Sequence, residues 1–291
     1  MLTNQRQAPR SALPEPVRIV SPRSWNDVRQ AVRDQGTALL YTTLDDGPAV
    51  PSDPASLRRL LGEDFNRYES LGHPGIRRRF AASRALLKAT ASVVLGVPAE
   101  SVELAYEPGG RPYLRGFDRI DISLSHTDDV LLVGVTIRGL VGVDVEHTER
   151  AMYGTGLAHK ICTPHELGLL EQLPVECRNA ELVRLWTLKE AYSKAIGQGL
   201  ALRFAGVGFA VGREEGGVLR PDGRADADSP WTSRAFVLAE GYRVGAVVQD
   251  TGPRTPADLA ADTLFNAGLS SWLMSAEPGR TTPLPPQRQR G

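Results

Sequence analysis

The chain has little cysteine, no long apolar run and no net charge. Its 291 residues include two cysteines, Cys162 and Cys177, which show no CxxC spacing and no clear zinc partners. A disulfide framework and a structural zinc site are therefore disfavoured, and we expect buried or free thiols. No apolar run reaches the length of a membrane span, and residues 1–16 contain no apolar signal core. The sequence predicts a soluble, cytoplasmic protein with no membrane association.

The charge balance narrows the class of partner. The chain carries 34 basic and 34 acidic side chains, so no overall field attracts nucleic acid or an anionic membrane. It also lacks a GxxxxGK[ST] phosphate loop and aromatic stacking patches. Both absences disfavour nucleoside triphosphate chemistry and nucleic-acid binding. Any affinity for phosphate must then come from a local site.

The hydrophobic pattern predicts a mixed α/β (α+β) fold. Apolar stripes of helical period at residues 77–95 and 180–196 indicate two long helices, and β-rich runs precede them. We expect two similar halves, residues 18–139 and residues 140–252, each a small sheet packed with a long helix.

The ends and the middle of the chain carry weaker signals. Residues 1–17 are predicted to form a disordered tail, and residues 253–291 a short helix followed by a disordered tail rich in Pro and Arg. The runs at residues 130–137 and 140–145 predict a hairpin.

Two carboxylates end the β-branched run that opens the second half. Asp144 and Glu146 stand two residues apart, and on a strand such positions point to the same face. Gly142, just before them, permits close approach of another backbone. A few carboxylates suit Mg²⁺, which takes its remaining ligands from water and substrate phosphate. We interpret both as candidate metal ligands; an exposed pair at a sheet edge is the alternative.

The second long helix carries further charged groups. Glu190 and Lys194 are one turn apart on one face, and Lys189 precedes Glu190. The helix around Glu190 is largely apolar, which is unusual for an exposed carboxylate. An ordinary surface Glu–Lys pair is the alternative. Together with the acidic strand, these groups predict a site for Mg²⁺ and a phosphate-bearing substrate.

Basic and hydroxyl groups earlier in the chain are candidates for binding phosphate. Ser125 and His126 end a predicted strand, and Arg111 precedes it in a glycine-rich loop. Arg79 belongs to a basic run at a helix N-terminus, where arginines and backbone N–H groups act together on anions. Structural turns and a solvated helix face are the alternatives. A Ser–His nucleophile is disfavoured because no Gly-x-Ser-x-Gly elbow surrounds Ser125.

Together these segments resemble the 4′-phosphopantetheinyl transferases, specifically the larger, monomeric type related to the surfactin-synthetase activator. The resemblance covers about residues 77–211. It rests on Arg-Arg-Phe at 78–80, Gly-Arg-Pro at 110–112, Ser-His at 125–126, Gly-Val-Asp-Val-Glu at 142–146 and Trp-Thr-Leu-Lys-Glu-Ala-Tyr-Ser-Lys at 186–194. The last two segments together are highly specific to that family. Arg111 stands where lysine is usual, which keeps the charge.

The resemblance implies two pseudo-symmetric α/β halves with coenzyme A and the active site in the cleft between them. It assigns Mg²⁺ to Asp144, Glu146 and Glu190, and catalysis to Glu190, Lys194 and Asp144. The implied contacts to the cofactor are Arg79, Arg111, Ser125, His126, Lys189 and Lys194.

The implied reaction joins the phosphopantetheine arm of coenzyme A to a serine of an acyl or peptidyl carrier protein and releases 3′,5′-ADP. The resemblance favours a monomer that serves polyketide or nonribosomal peptide synthesis, a part of secondary metabolism. Residues 147–185 are a candidate element for docking the carrier, or equally a structural connector. Two alternatives are a catalytically silent protein that binds coenzyme A or the carrier, and an unrelated Mg²⁺-dependent phosphohydrolase or nucleotidyl transferase.

Overall fold

The computed structural model of the chain describes residues 13–225 and 229–251. Within these ranges helices and strands follow each other in mixed order, and the predicted α/β class is confirmed.

The first part of the chain builds one four-stranded sheet and four helices. The strands are β1 (Val17–Arg18), β2 (Thr37–Thr43), β5 (Asp121–Thr127) and β6 (Val130–Thr136). They lie in the order β1-β2-β6-β5, with only the β1–β2 pair parallel. The helices are α1 (Ser24–Gln35), α2 (Pro54–Leu61), α3 (Phe65–Ser70) and α4 (Pro74–Leu95), and a small pair, β3 (Leu104–Tyr106) with β4 (Pro112–Leu114), precedes β5.

The second part builds another four-stranded sheet, entirely antiparallel. Its strands are β7 (Gly139–His147), β8 (Glu215–Gly216), β9 (Trp231–Leu238) and β10 (Tyr242–Asp250), in the order β7-β10-β9-β8. Its helices are α5 (Leu157–Ile161), α6 (Pro164–Leu170) and α7 (Val175–Ala195).

The long helices begin and end at residues that suit helix termini. Pro74 occupies the first turn of α4, where its missing N–H has no partner to lose, and Gly96 ends the helix in the left-handed conformation at φ 71°. Helix α6 begins with a capping box, in which Thr163 and Glu166 each accept the other's backbone N–H.

Side chains alternate along the strands and divide the core into layers. On β2, Leu40 packs with the helices α1 and α4, whereas Leu39 packs with Val143 and its neighbours in the second sheet. On the far side of the second sheet, Val247 packs with Leu188 of α7. The two sheets therefore lie face to face, with α4 outside the first and α7 outside the second.

The predicted hairpin between residues 130–137 and 140–145 is wrong. Strand β6 pairs with β2 and β5, and β7 pairs with β10 in the other sheet. The hairpin lies one connection earlier, between β5 and β6, where Asp128 takes a positive φ of 49°. The chain leaves the first sheet at Arg138-Gly139 because β2 and β5 already pair with both edges of β6.

The end of the predicted N-terminal tail is packed. Leu13 is buried in the core between the sheets, and Arg234 donates a hydrogen bond of 2.7 Å to its carbonyl oxygen. Residues 1–12 lie outside the described residues, and so does the helix and tail predicted for residues 253–291.

The two cysteines behave as predicted, since Cys162 is buried, Cys177 is exposed and both are free thiols. No helix in the described ranges combines the length and the apolar character that a membrane crossing requires.

Gly142 lets α7 lie directly on β7, as its position before the acidic pair predicted. A Cβ atom on Gly142 would stand 1.8 Å from the carbonyl oxygen of Ala191, and one on Gly245 of β10 would stand 2.5 Å from Thr187. We expect Gly142→Ala to destabilise the fold by about 3 kcal/mol, because the added methyl group meets backbone that cannot rotate away. Urea unfolding measures this. Gly168→Ala on α6 is the matched control, since nothing lies within 4 Å of its Cβ; equal stability of both variants would contradict the close approach.

Candidate functional site

A cavity of about 400 Å³ opens where the ends of β5 and β7 meet the C-terminal half of α7. Six of the sequence-predicted site residues line it: Ser125, His126, Asp144, Glu146, Glu190 and Lys194. The strand β5 belongs to the first sheet, and β7 and α7 belong to the second. The cavity therefore lies at the junction between the two sheets.

Side chains of β5 hold β7 in register. The backbone N–H groups of Val141, Val143 and Val145 donate to Asp121, Ser123 and Ser125 respectively, at 2.6, 3.2 and 3.3 Å. These acceptors recur at every second residue, so they lie on one face of β5. The alternation of polar residues in Asp-Ile-Ser-Leu-Ser signals this contact, although the sequence analysis assigned none of it. As a result Ser125 of one sheet lies beside Asp144 of the other.

Asp144 forms an ion pair at the centre of the cavity. Lys194 Nζ lies 2.6 Å from Asp144 Oδ1 and donates a second hydrogen bond of 2.8 Å to Ser125 Oγ. The Ser125 hydroxyl donates in turn to the same Asp144 oxygen at 2.8 Å. Ser125 was predicted to contact phosphate, but here its hydroxyl proton is committed to Asp144.

Glu190 has no hydrogen-bond or ion-pair partner among the described residues, although it stands one helical turn before Lys194. Burial first, and then the negative charge of Asp144, raise the pKa of the Glu190 carboxyl group above its ordinary value. Lys194 and Arg150 oppose this shift. The arrangement leaves Glu190 as a carboxylate that faces the cavity and can accept a proton.

Glu146 is bound on both of its oxygens. Oε1 accepts the backbone N–H of His147 at 2.9 Å, and Oε2 forms an ion pair with Arg150. The Arg150 guanidinium lies 5.3 Å from the centroid of the Trp186 ring. Arg150 and Trp186 both line the cavity, and the sequence analysis assigned neither a role there. In the sequence, the arginine four residues after Glu146 was the feature that could have indicated this ion pair.

The three predicted metal ligands line one cavity but do not converge. Among the described residues no group of three or more His, Cys, Asp or Glu side chains is arranged to hold a metal ion. The reason is that Asp144 and Glu146 each turn to a cation of the protein, Lys194 and Arg150. The donor set nevertheless suits Mg²⁺, which needs only one or two carboxylates besides water and phosphate oxygens.

The positively charged guanidinium of Arg79 lies near His126. Burial is the main cause of the lowered pKa of the His126 imidazole, and the charges of Arg79 and Lys194 lower it further. The Nε of Arg79 is buried and has no partner among the described residues. An unpaired guanidinium N–H is costly unless an acceptor arrives, so Arg79 and His126 mark a place for an anion.

Arg111 was predicted to bind phosphate, but the structure does not place it in the lining of the cavity. Its guanidinium forms a two-pronged pair with Asp121, at 2.7 and 2.5 Å, and donates to the carbonyl oxygens of Lys194 and Val141 at 2.7 and 3.2 Å. A guanidinium presents a fixed fork of donors, and protein acceptors already meet this one. Arg111 instead ties the first part of the chain to the end of α7.

Lys189 was predicted to contact the cofactor, but the structure does not place it in the lining of the cavity either. Its side chain is 0% exposed and lies 2.8 Å from Glu166. It also donates to the carbonyl oxygens of Phe204, at 2.9 Å, and Val207. Successive helical residues point about 100° apart, so Lys189 faces the core while Glu190 faces the cavity.

The comparisons with known proteins agree with the motifs. Residues 140–247 match the family model described as the 4′-phosphopantetheinyl transferase superfamily. The 4′-phosphopantetheinyl transferase HetI of Nostoc sp. is 35% identical over 147 residues, which are 49% of this chain and 61% of the Nostoc protein. The 4′-phosphopantetheinyl transferase psf-1 of Bacillus pumilus is 24% identical over 167 residues, 57% of this chain and 69% of that protein. The L-aminoadipate-semialdehyde dehydrogenase-phosphopantetheinyl transferase of Eremothecium gossypii is 32% identical over 146 residues, 46% of this chain and 53% of that protein.

The chain thus spans less than two thirds of the length of the Nostoc and Eremothecium proteins. The matched segment holds α7, nearly all of β7 and the first part of β10, and with them Asp144, Glu146, Glu190 and Lys194. The resemblance drawn from the motifs is confirmed over residues 140–247, which match the 4′-phosphopantetheinyl transferase superfamily.

Proposed function

We propose that the chain transfers the 4′-phosphopantetheine arm of coenzyme A to a serine of an acyl or peptidyl carrier protein and releases 3′,5′-ADP. The observation that carries the proposal is the unpartnered Glu190 beside the Lys194–Asp144 pair, in a cavity of the segment that matches the transferase superfamily. The names of the relatives support the same class of reaction.

Coenzyme A offers two kinds of phosphate to this site. Its pyrophosphate would meet Lys194, and the 3′-phosphate of its adenosine end would meet His126 and the unpaired N–H of Arg79. Arg111 and Lys189 take no part in this assignment because their donors are bound within the protein. Ser125 positions Asp144 and Lys194 through its hydroxyl group.

The carboxylates of Asp144, Glu146 and Glu190 would hold Mg²⁺. When bound, the ion would neutralise charge on the pyrophosphate oxygens. Hard carboxylate oxygens in a cavity open to a phosphorylated substrate fit this ion, and the site needs no further protein ligand.

The transfer requires one proton acceptor and one stabilised leaving group. Glu190, directly or through a water molecule, would take the proton of the carrier serine, whose oxygen then bonds to the phosphorus that bears the pantetheine arm. The bond from that phosphorus to the bridging oxygen breaks, and 3′,5′-ADP departs with the electron pair. The raised pKa of Glu190 makes it a better proton acceptor at neutral pH, and the Lys194 ammonium stabilises charge on the departing oxygen.

The cellular location, oligomeric state and pathway are proposed from the family resemblance. We propose a cytoplasmic monomer that serves polyketide or nonribosomal peptide synthesis, with residues 147–185 as the element that docks the carrier. This segment contains α5 and α6 and begins beside the cavity at Glu146 and Arg150.

One assay tests the proposed reaction. The protein is incubated with coenzyme A, Mg²⁺ and several apo carrier proteins, and the intact mass of each carrier is measured. We expect one carrier to gain a phosphopantetheine arm, and chelation of Mg²⁺ to abolish the gain. No gain on any carrier while coenzyme A still binds would instead support the catalytically silent binding protein.

A further inference from the structure

Two acidic side chains of the cavity, Asp144 and Glu146, are paired with the protein's own cations, and the two ion pairs differ. Lys194 pairs with Asp144 and also bonds to Ser125, so it is held from two sides. Arg150 pairs with Glu146 alone, and its side chain is 41% exposed. Water can therefore solvate the Arg150 guanidinium as soon as it leaves the carboxylate.

The backbone of Arg150 is held by a hydrogen bond from a neighbouring helix, whereas its side chain is partly exposed. Asn179 of α7 donates a hydrogen bond of 3.0 Å to the Arg150 carbonyl oxygen. The same side chain accepts the N–H groups of Met152 and Tyr153 at 2.9 and 3.0 Å. The guanidinium also lies 5.3 Å from the centroid of the Trp186 ring, and this contact does not depend on Glu146, because the face of an indole ring attracts a cation.

Glu146 cannot bind a divalent ion and keep its ion pair with Arg150 at full strength at the same time. Its Oε1 accepts a backbone N–H, that of His147, whereas the partner of Oε2 is the side chain of Arg150, which can leave, so Oε2 is the oxygen at which a cation can replace a partner. A guanidinium and a divalent cation at the same oxygen also repel each other strongly in a partly buried cavity.

We propose that Arg150 is the internal counter-ion of the cavity: it neutralises Glu146 when no divalent cation is present and competes with that cation for the same oxygen. This inference rests on the proposed function, in which Glu146 holds Mg²⁺. Arg150 thereby sets how much divalent cation the site requires. When a divalent cation displaces it from Glu146, its guanidinium keeps the contact with Trp186 at the wall of the cavity.

The test measures binding of Mn²⁺, a paramagnetic substitute for Mg²⁺ that also accepts oxygen ligands. Neither coenzyme A nor carrier is present, and the signal of free Mn²⁺ is followed by electron paramagnetic resonance at low ionic strength. We expect Arg150→Gln to bind Mn²⁺ about 3- to 10-fold more tightly than the unchanged protein, because a competing charge is removed. Arg150→Lys keeps the charge and is expected to stay within about twofold. Arg224→Gln is the control for loss of an exposed arginine, since Arg224 pairs with Asp222 away from the cavity.

Equal or weaker Mn²⁺ binding by Arg150→Gln would overturn the proposal, and so would the absence of Mn²⁺ binding to the unchanged protein. The outcome of the carrier assay is independent of this Mn²⁺ titration, which uses neither coenzyme A nor carrier. A protein that modifies no carrier but binds Mn²⁺ more tightly after Arg150→Gln would contradict the proposed function and keep this inference.

Discussion

Glu190→Gln is expected to lower the rate of carrier modification by about 10³-fold while coenzyme A still binds. The amide has the size of the carboxyl group but cannot accept the serine proton, and it is a poorer ligand for a divalent cation. In the proposed function, binding of coenzyme A depends instead on cationic and N–H groups, chiefly Arg79, His126 and Lys194. Single-turnover kinetics with a modified carrier as the product, together with calorimetric titration of coenzyme A, separate the two effects.

Glu176→Gln is the matched control for this prediction. Glu176 lies in the first turn of the same helix and is exposed, so the substitution removes the same charge far along α7 from the cavity. We expect this variant to keep nearly full activity. Near-normal turnover of Glu190→Gln would remove Glu190 from the chemistry and leave the reaction without its proposed base.

Lys189→Met is expected to destabilise the fold by about 3–5 kcal/mol, because it leaves the Glu166 carboxylate buried without its charge partner. Glu166 is 1% exposed, and besides Lys189 it accepts only backbone N–H groups, those of Thr163 and Phe209, both at 2.7 Å. Thermal or urea unfolding measures the loss. The exposed Lys160, changed to Met, is the control for removal of a lysine.

The double variant Lys189→Met with Glu166→Gln sharpens this test. Glutamine carries no charge, and its single carbonyl oxygen can still accept one of the two backbone N–H groups, so we expect it to recover part of the lost stability. If Lys189 instead contacted coenzyme A, Lys189→Met would keep the stability of the protein and weaken coenzyme A binding. That result would restore the expectation drawn from the sequence.

The case of Lys189 shows why sequence reasoning placed some residues correctly and others not. The segment Leu-Lys-Glu-Ala-Tyr-Ser-Lys predicts a helix and a shared face for Glu190 and Lys194, and the structure has both. Which face of the helix looks into the cavity depends on what packs on the other side. Glu166 and the carbonyl oxygens of Phe204 and Val207, distant in sequence, draw Lys189 into the core.

Arg111 illustrates the same limit for a loop. A positively charged residue between glycine and proline is a reasonable candidate for phosphate binding. Its partner Asp121 was visible in the sequence, but only the fold brings β4 and β5 together so that the guanidinium meets that carboxylate. A buried arginine satisfies its donors with the nearest acceptors, whatever its motif implies.

The sequence alone determined the class of fold, the two long helices, the acidic strand and the family, because each depends on local periodicity or on a short, specific pattern of residue types. The position of Gly142 in the strand also predicted, from the sequence alone, that another backbone approaches there. Only the tertiary structure decided that β6 and β7 part into different sheets, that Ser123 and Ser125 join those sheets, and that Arg150 occupies the carboxylate of Glu146. These contacts link residues through the packing of separate elements, and the free energy that selects them comes from burial and charge pairing that no local segment contains.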